Sequence, residues 1–410
     1  PLCLVGSEMC IRDRYIVFVK KFQSPMEIIC NQNELNNAIQ LVNKAVSSRP
    51  THPILANILL TADQGTNKIS LTGFDLNLGI QTSFDGTVTN SGAITIPSKL
   101  LSEIVNKLPS ETPVSLEVDE NSESILIKSD RGSFNIKGIP SDDYPKLPFV
   151  ESGTSLNIEP SSFLKSLKST IFASSNDDSK QLLTGVNFTF KQNYLESAST
   201  DGHRLAVALI GNEEYIENKD NSLLNEGDLS VTIPTRSLRE IEKLVSLKSS
   251  EKSIKLFYDK GQVVFISSNQ IITTRTLEGT YPNYSQLIPD TFSKIFNFNT
   301  KRLIDALERI AVLADQQSNV VKIKLDNTDS ASISAEAQDI GNANETVPVS
   351  YSGENFDIAF NVRYLLEGLR VISSENVLLK CNLSTTPAVF VPEDNLNSFT
   401  YLVMPVQVRS

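Results

Sequence analysis

The chain has 410 residues, 40% of them hydrophobic and 21% charged, with a formal net charge of −11. That length exceeds one ordinary domain and the apolar content suffices for several cores, while the acidic sum argues against a broadly basic, phosphate-coating protein. The four cysteines, Cys3, Cys10, Cys30 and Cys381, lack metal-ligand spacing and fit a reducing cytoplasm, no apolar run is long enough to span a bilayer, and no nucleotide-loop or HExxH pattern occurs, so neither metal nor cofactor is expected.

Residues 1–25 do not match the rest of the chain. The stretch from Cys3 to Arg14 resembles translated sequencing adapter, and basic residues surround the short apolar run Tyr15–Val19 without making a signal peptide. These residues are expected to be a non-native or disordered leader, with the natural start at Met26.

From Met26 the chain repeats one order of elements three times. Each passage opens with a strand and an amphipathic helix, predicted over 34–46, 161–173 and 300–313 from the spacing of Leu35/Ile39/Val42, Phe163/Leu164/Leu167 and Leu303/Leu307/Ile310. Strands come next at Ile58–Leu60 and Lys68–Ile80, at Val186–Phe190 and Tyr194–Ile210, and at Val321–Leu325 and Ser330–Ala335. A second strand-to-helix junction then recurs: Ala93–Pro97 into 98–108, Ser230–Pro234 into 235–245, and Asp357–Asn361 into 362–371. Proline at the first two junctions costs little because its missing N–H would be unpaired there, and Asn361 is a good N-cap. Alternating strands close each passage over 114–137, 254–277 and 377–403. The reading is α+β, with three similar domains at 26–147, 153–284 and 290–410.

Charge is not spread evenly. The six predicted helices hold thirteen basic and seven acidic residues, a balance of +6 that leaves −17 for everything else. Turned toward one surface, such helices would make a basic face on an acidic body, able to hold phosphates without reading sequence.

Near the middle lies Thr200-Asp201-Gly202-His203-Arg204-Leu205-Ala206-Val207. Asp, His and Arg this close raise the possibility of catalysis, but the spacing supplies no oriented proton partner for His203, and an Asp-Gly turn before a strand is the simpler reading.

Taken together, Arg49 to Leu55 (RPTHPIL), Thr200 to Val207 and Tyr401 to Pro405 (YLVMP), with supporting stretches at Thr72–Leu76, Leu277–Tyr284 and Val349–Gly353, resemble the bacterial DNA sliding clamp family, the β subunit of DNA polymerase III. The likeness runs from Met26 to about Val408. It implies three clamp domains, each of two helices on antiparallel sheets, joined head to tail with a second copy into a ring. It also implies a non-enzymatic processivity factor that encircles duplex DNA without sequence preference and tethers the polymerase catalytic subunit, the clamp loader and other clamp-binding-motif proteins, with no membrane role. The runner-up is a multi-domain interaction scaffold that does not encircle DNA.

Site residues come from the same resemblance. A pocket for extended peptides with a Gln and Leu/Phe anchors would use Leu183, Thr200, Gly202, His203, Arg204, Leu205, Pro289, Val389, Leu402, Val403, Met404, Pro405 and Val406. DNA contact would fall to Arg49, Lys99, Lys107, Lys165, Lys168, Arg236, Arg239, Lys243, Lys301 and Arg302. The ring interface would set Lys128 and Arg131 against Asp339 and Glu345; Gly341, Asn342 and Asn344 thin that acidic side, shifting weight to Val312 and Leu313. Val406-Gln407-Val408 departs from the family's usual Met-Arg-Leu ending, and Asn176-Asp177-Asp178 makes an acidic loop where a DNA contact would otherwise be sought.

Overall fold

A computed structural model describes residues 25–407, apart from 120–122, 131, 149–153, 192–193, 212–228, 248–252, 260, 315–317, 326–328, 338–339 and 352–353. The predicted leader, but for Pro25, therefore lies outside the described residues, as do Arg131 and Asp339. Among the described residues no helix is long and apolar enough to cross a membrane, and no three His, Cys, Asp or Glu side chains gather as a metal site.

The same unit is built three times. Each has a first strand (Glu27–Asn31, Thr154–Ile158, Lys294–Asn299) leading into a helix: α1 (Gln32–Val42), α3 (Pro160–Thr170) and α5 (Thr300–Ala314). Three antiparallel strands come next: 57–63, 68–74 and 78–85; then 185–190, 194–200 and 204–211; then 320–325, 330–337 and 341–350. A further strand (Gly92–Pro97, Leu229–Pro234, Phe356–Asn361) enters the second helix: α2 (Ser98–Val105), α4 (Thr235–Leu247) and α6 (Val362–Leu369). Three more strands come after it in each unit, the third being Gly132–Lys137, Gln270–Arg275 and Phe399–Val403; the first unit adds the two-residue strand Ile139–Pro140 against Gly92–Pro97. The two helices of each unit pack on one another, burying the apolar stripe that their 3.6-residue period predicts.

Helix ends differ from the sequence reading for local reasons. α1 begins at Gln32 rather than 34 because the Asn31 side chain caps it, accepting from Asn33 N–H at 2.9 Å. α2 stops at Val105, so Lys107 lies in the turn beyond it. Strand 341–350 has no predicted counterpart. Its residues are mostly exposed and carry Pro348, a composition without alternation that suits a sheet margin.

Sheets run across the unit boundaries. Strand 78–85 of the first unit pairs antiparallel with strand 270–275 of the second, Ile80 opposite Ile272. Strand 204–211 of the second unit pairs with strand 399–403 of the third, Leu205 opposite Leu402. Both joints use the same two positions in the repeat.

Cys30 and Cys381 sit inside these units, and burial pushes both thiols up to about 12. With Cys3 and Cys10 changed to serine, a thiol reagent such as Ellman's is expected to label neither until the chain unfolds. Rapid labelling of the folded protein would contradict this packing.

Candidate functional site at the second domain joint

The turn at 200–204 is held by its own side chains. Thr200 Oγ1 donates to the Arg204 carbonyl at 2.6 Å and accepts from Gly202 N–H at 3.1 Å. One oxygen of Asp201 accepts from the N–H groups of His203 (2.8 Å) and Arg204 (3.1 Å). Gly202 has φ +94°, where any side chain would be strained. This geometry leaves His203 exposed, stacked on Tyr364 of α6 at 6.4 Å between ring centres, and turns Arg204 inward.

Arg204 is a joint residue. Its side chain is 7% exposed; Nε meets Asp201 at 3.1 Å, one terminal nitrogen bonds Glu367 of α6, and the other donates to the Phe172 carbonyl at 2.7 Å. The guanidinium also lies over the rings of Tyr364 (4.5 Å) and Phe172 (5.5 Å). Burial works against its charge, but Tyr401, Glu367 and Asp201 outweigh it and hold the pKa above the ordinary value. With one Asp201 oxygen held by amides and the other by Arg204, the carboxylate is fully engaged, which matches the simpler, non-catalytic reading of the turn.

Strand pairing assembles an apolar cluster beside the turn. Leu205 lies opposite Leu402 and Leu402 opposite Val389, and all three are buried with Ala198, Val207 and Val391. Tyr284, Ile288 and Phe292, spaced four residues apart on the connector between units, pack over it. Val403 alternates to the other side and joins the core of the third unit, so its side chain does not share the face of Leu402. Tyr401, on that same inner side, reaches Gly368 so closely that a Cβ would overlap its ring, and its hydroxyl donates to the Tyr364 carbonyl at 2.7 Å.

Met404 and the segment holding Leu183 are bonded to the turn, and Pro289 and Val406 continue the chain from Ile288 and Leu402 of the cluster. Met404, 39% exposed, donates its N–H to the His203 carbonyl at 2.9 Å. Pro405 and Val406 are half-buried, and Val406 N–H bonds the Ala359 carbonyl at 2.8 Å. Leu183 belongs to a 3-10 segment whose Lys180 donates to the Asp201 carbonyl at 3.4 Å, and Pro289 comes after Ile288 on the connector. The geometry adds Tyr364, Tyr284, Ile288 and Phe292, which the sequence reading passed over; the four-residue spacing of the last three was the available signal.

The basic residues divide into two kinds. Arg49, Lys99, Lys107, Lys165, Lys168, Arg239, Lys243, Lys301 and Arg302 are exposed, Lys243 beside Glu240 at 3.0 Å. Arg236 is committed to the first joint: it meets Asp75 at 2.7 Å and donates to the Lys44 carbonyl at 3.1 Å. Arg309 is paired with Glu345 and Arg370 with Glu308, the latter at 2.8 Å.

Two sheet margins stay exposed. Strand 132–137 is exposed along most of its length and presents Phe134, 39% accessible. Strand 341–350 is open along its first half, and nearby α5 presents Val312, 71% exposed, with Leu313 half-buried. Lys128 pairs with Glu117 of its own sheet at 2.5 Å; the bond from Arg309 holds the Glu345 carboxyl below its usual range.

Comparison with known proteins gives one consistent result. Family models described as the DNA polymerase III beta subunit N-terminal, central and C-terminal domains match residues 26–148, 157–283 and 285–407. The chain is 45% identical to the beta sliding clamp of Synechococcus elongatus and 31% identical to that of Bacillus subtilis, covering 94% and 93% of this chain and all of each relative. The crystal structure of the Bacillus subtilis DNA polymerase sliding clamp superposes with a TM-score of 0.85 at 29% identity, over 94% of this chain and 100% of that one. The DNA polymerase III beta chain of Streptococcus pneumoniae superposes at 0.84 with 28% identity, over the same shares.

Proposed function

The chain belongs to the DNA polymerase III beta subunit family, and we propose on that premise that two copies close head to tail into a ring around duplex DNA. It is a sliding clamp, a non-catalytic processivity subunit, and the family match favours this over a scaffold that does not encircle DNA. The observation that carries the ring is the repeated joint. Strand 78–85 takes strand 270–275, and strand 204–211 takes strand 399–403. In the same repeat positions, residues 341–348, paired on one side only before the strand's last two residues join strand 294–299, and strand 132–137 are left open at opposite ends of the chain. Each is the margin the other needs, so two copies give two identical joints and a closed six-domain ring. Phe134 of one copy and Val312 of the other supply the apolar contact.

The exposed cations on and beside the helices, Lys107, Lys165, Lys168, Arg239, Lys243, Lys301 and Arg302, together with Arg49, are assigned to the phosphates of the enclosed duplex. Weak, screened contacts of this kind leave the ring free to slide. The face around His203, Leu205, Leu402 and Met404 is assigned to extended peptides of the polymerase, the loader and other partners. Its apolar floor takes Leu or Phe side chains and Met404 adapts to different partners. The setting is the cytoplasm, where the replicated duplex lies.

The test is topological. Loaded on nicked circular DNA, the protein is expected to stay bound through gel filtration and to be lost once the circle is cut. Equal retention on linear DNA would sink encirclement. Neutralising Arg239, Lys243 and Arg302 together, six cations in the two copies, is expected to shorten residence on the circle and flatten the salt dependence of DNA affinity by about 5 in log–log slope, with peptide affinity unchanged. An unchanged slope would remove these residues from the lining.

A further inference from the structure

We infer that Lys99 acts at the joint between copies, as the latch that Arg236 supplies inside the chain; the inference rests on the ring reading above. Both internal joints carry a guanidinium lodged against the end of the upstream unit's first helix. At the first, Arg236, the second residue of α4, donates to the carbonyl of Lys44 just past α1 and pairs with Asp75. At the second, Arg204 donates to the carbonyl of Phe172 just past α3, pairs with Asp201, and is tied to the downstream unit through Glu367 of α6. Lys44 and Phe172 are repeat equivalents, each nine residues after the buried apolar residue that starts its helix stripe, Leu35 and Phe163. The two joints thus solve one problem with the same charge at the same place.

The third joint has the same sockets filled differently. Nine residues after Leu303 stands Val312, in the last turn of α5. By strand register Gly341 occupies the position of Arg204, so the upstream unit brings no guanidinium at that position. The downstream unit brings α2, and its second residue is Lys99: Ile96-Pro97-Ser98-Lys99 repeats Ile233-Pro234-Thr235-Arg236. Lys99 is exposed, and the next residue, Leu100, is 43% exposed although its third-unit equivalent, Tyr364, lies under Arg204 at a joint. Docked as Arg236 is docked, the Lys99 ammonium meets the C-terminal end of α5 in a second copy, where the helix dipole favours a cation. A lysine offers a point charge where arginine offers a fork, so the joint between copies is held less firmly than the joints within a chain. That difference suits a ring that must open only between its copies.

The experiment is the dissociation of the full-length dimer, followed by fluorescence-detected sedimentation across nanomolar dilutions for the unaltered chain, Lys99→Ala, Lys99→Arg and Lys107→Ala. Lys99→Ala is expected to raise the dissociation constant at least tenfold, Lys107→Ala to leave it within twofold, and Lys99→Arg to hold or lower it, with unaltered melting of each variant's chain. A Lys99→Ala dimer as tight as the parent would overturn the latch while leaving the ring intact. So would equal weakening by Lys107→Ala, which would mark a general charge effect. An unaltered chain that stays monomeric at every concentration would instead overturn the ring reading itself.

Discussion

Arg204→Ala is expected to destabilise the second and third units together by about 3 kcal/mol, lowering the first calorimetric transition by roughly 6 to 10 °C. The size reflects the groups left behind when the side chain is removed. Asp201, whose side chain is 14% exposed, loses its ionic partner while its other oxygen stays fixed on the turn, and the Phe172 carbonyl loses its donor. Two aromatic faces, Tyr364 and Phe172, lose the cation stacked on them. Glu367 is 44% exposed and can rehydrate, which places the loss at the low end for a broken buried pair. Arg204→Lys is expected to recover only part of it, because an ammonium cannot meet Asp201, Glu367 and a carbonyl in one plane. Peptide affinity should fall in step, since His203 and Met404 are aligned through the same turn. A transition moved by less than 1 °C would show that the network adds nothing to the joint.

This residue also marks how far the sequence could be read. The repeated order of strand, helix and strands was legible because apolar spacing changes period at each junction, as in Ile94/Ile96 before Leu101/Val105. Strand 341–350 was not legible: its first half is a margin open to solvent, so nothing in Gly341-Asn342-Ala343-Asn344 alternates. Among the pocket residues, Leu205, Leu402 and Val389 come together because of cross-strand register, which local sequence does not fix. The sequence reading set Arg204 in the peptide pocket and Arg236 against DNA, and both turn out to be tied to carboxylates in or beside another unit. Their partners, Glu367 and Asp75, lie in distant parts of the chain, and no local pattern announces such a pair. Val403 shows the reverse case, since strict alternation beside Leu402 is enough to send it inward.

Val312→Asp is expected to turn the dimer into a 45.2 kDa monomer, with a dissociation constant raised by at least about a thousandfold. Val312 is 71% exposed in the single chain and faces no core, so the substitution removes nothing from the fold. Its cost appears only on assembly. Burying a valine there stabilises each joint by about 1.5 kcal/mol, and placing an unpaired carboxylate against Phe134 of the other copy adds a desolvation cost of about 1 to 3 kcal/mol. In the proposed ring two identical joints close the dimer, so the change is felt twice and at least about 5 kcal/mol is lost. Aspartate near a helix C-terminus carries a small penalty of its own, about 0.5 kcal/mol, which Val312→Thr avoids while keeping the shape. The threonine variant should therefore weaken the dimer far less, and both variants should bind peptide as the parent does. Melting of the isolated chain separates this variant from Arg204→Ala: the aspartate form should melt within about 1 °C of a parent monomer. An aspartate variant that sediments as a dimer at nanomolar concentration would place Val312 outside the contact and leave the pairing of strands 132–137 and 341–350 to hold the ring without it.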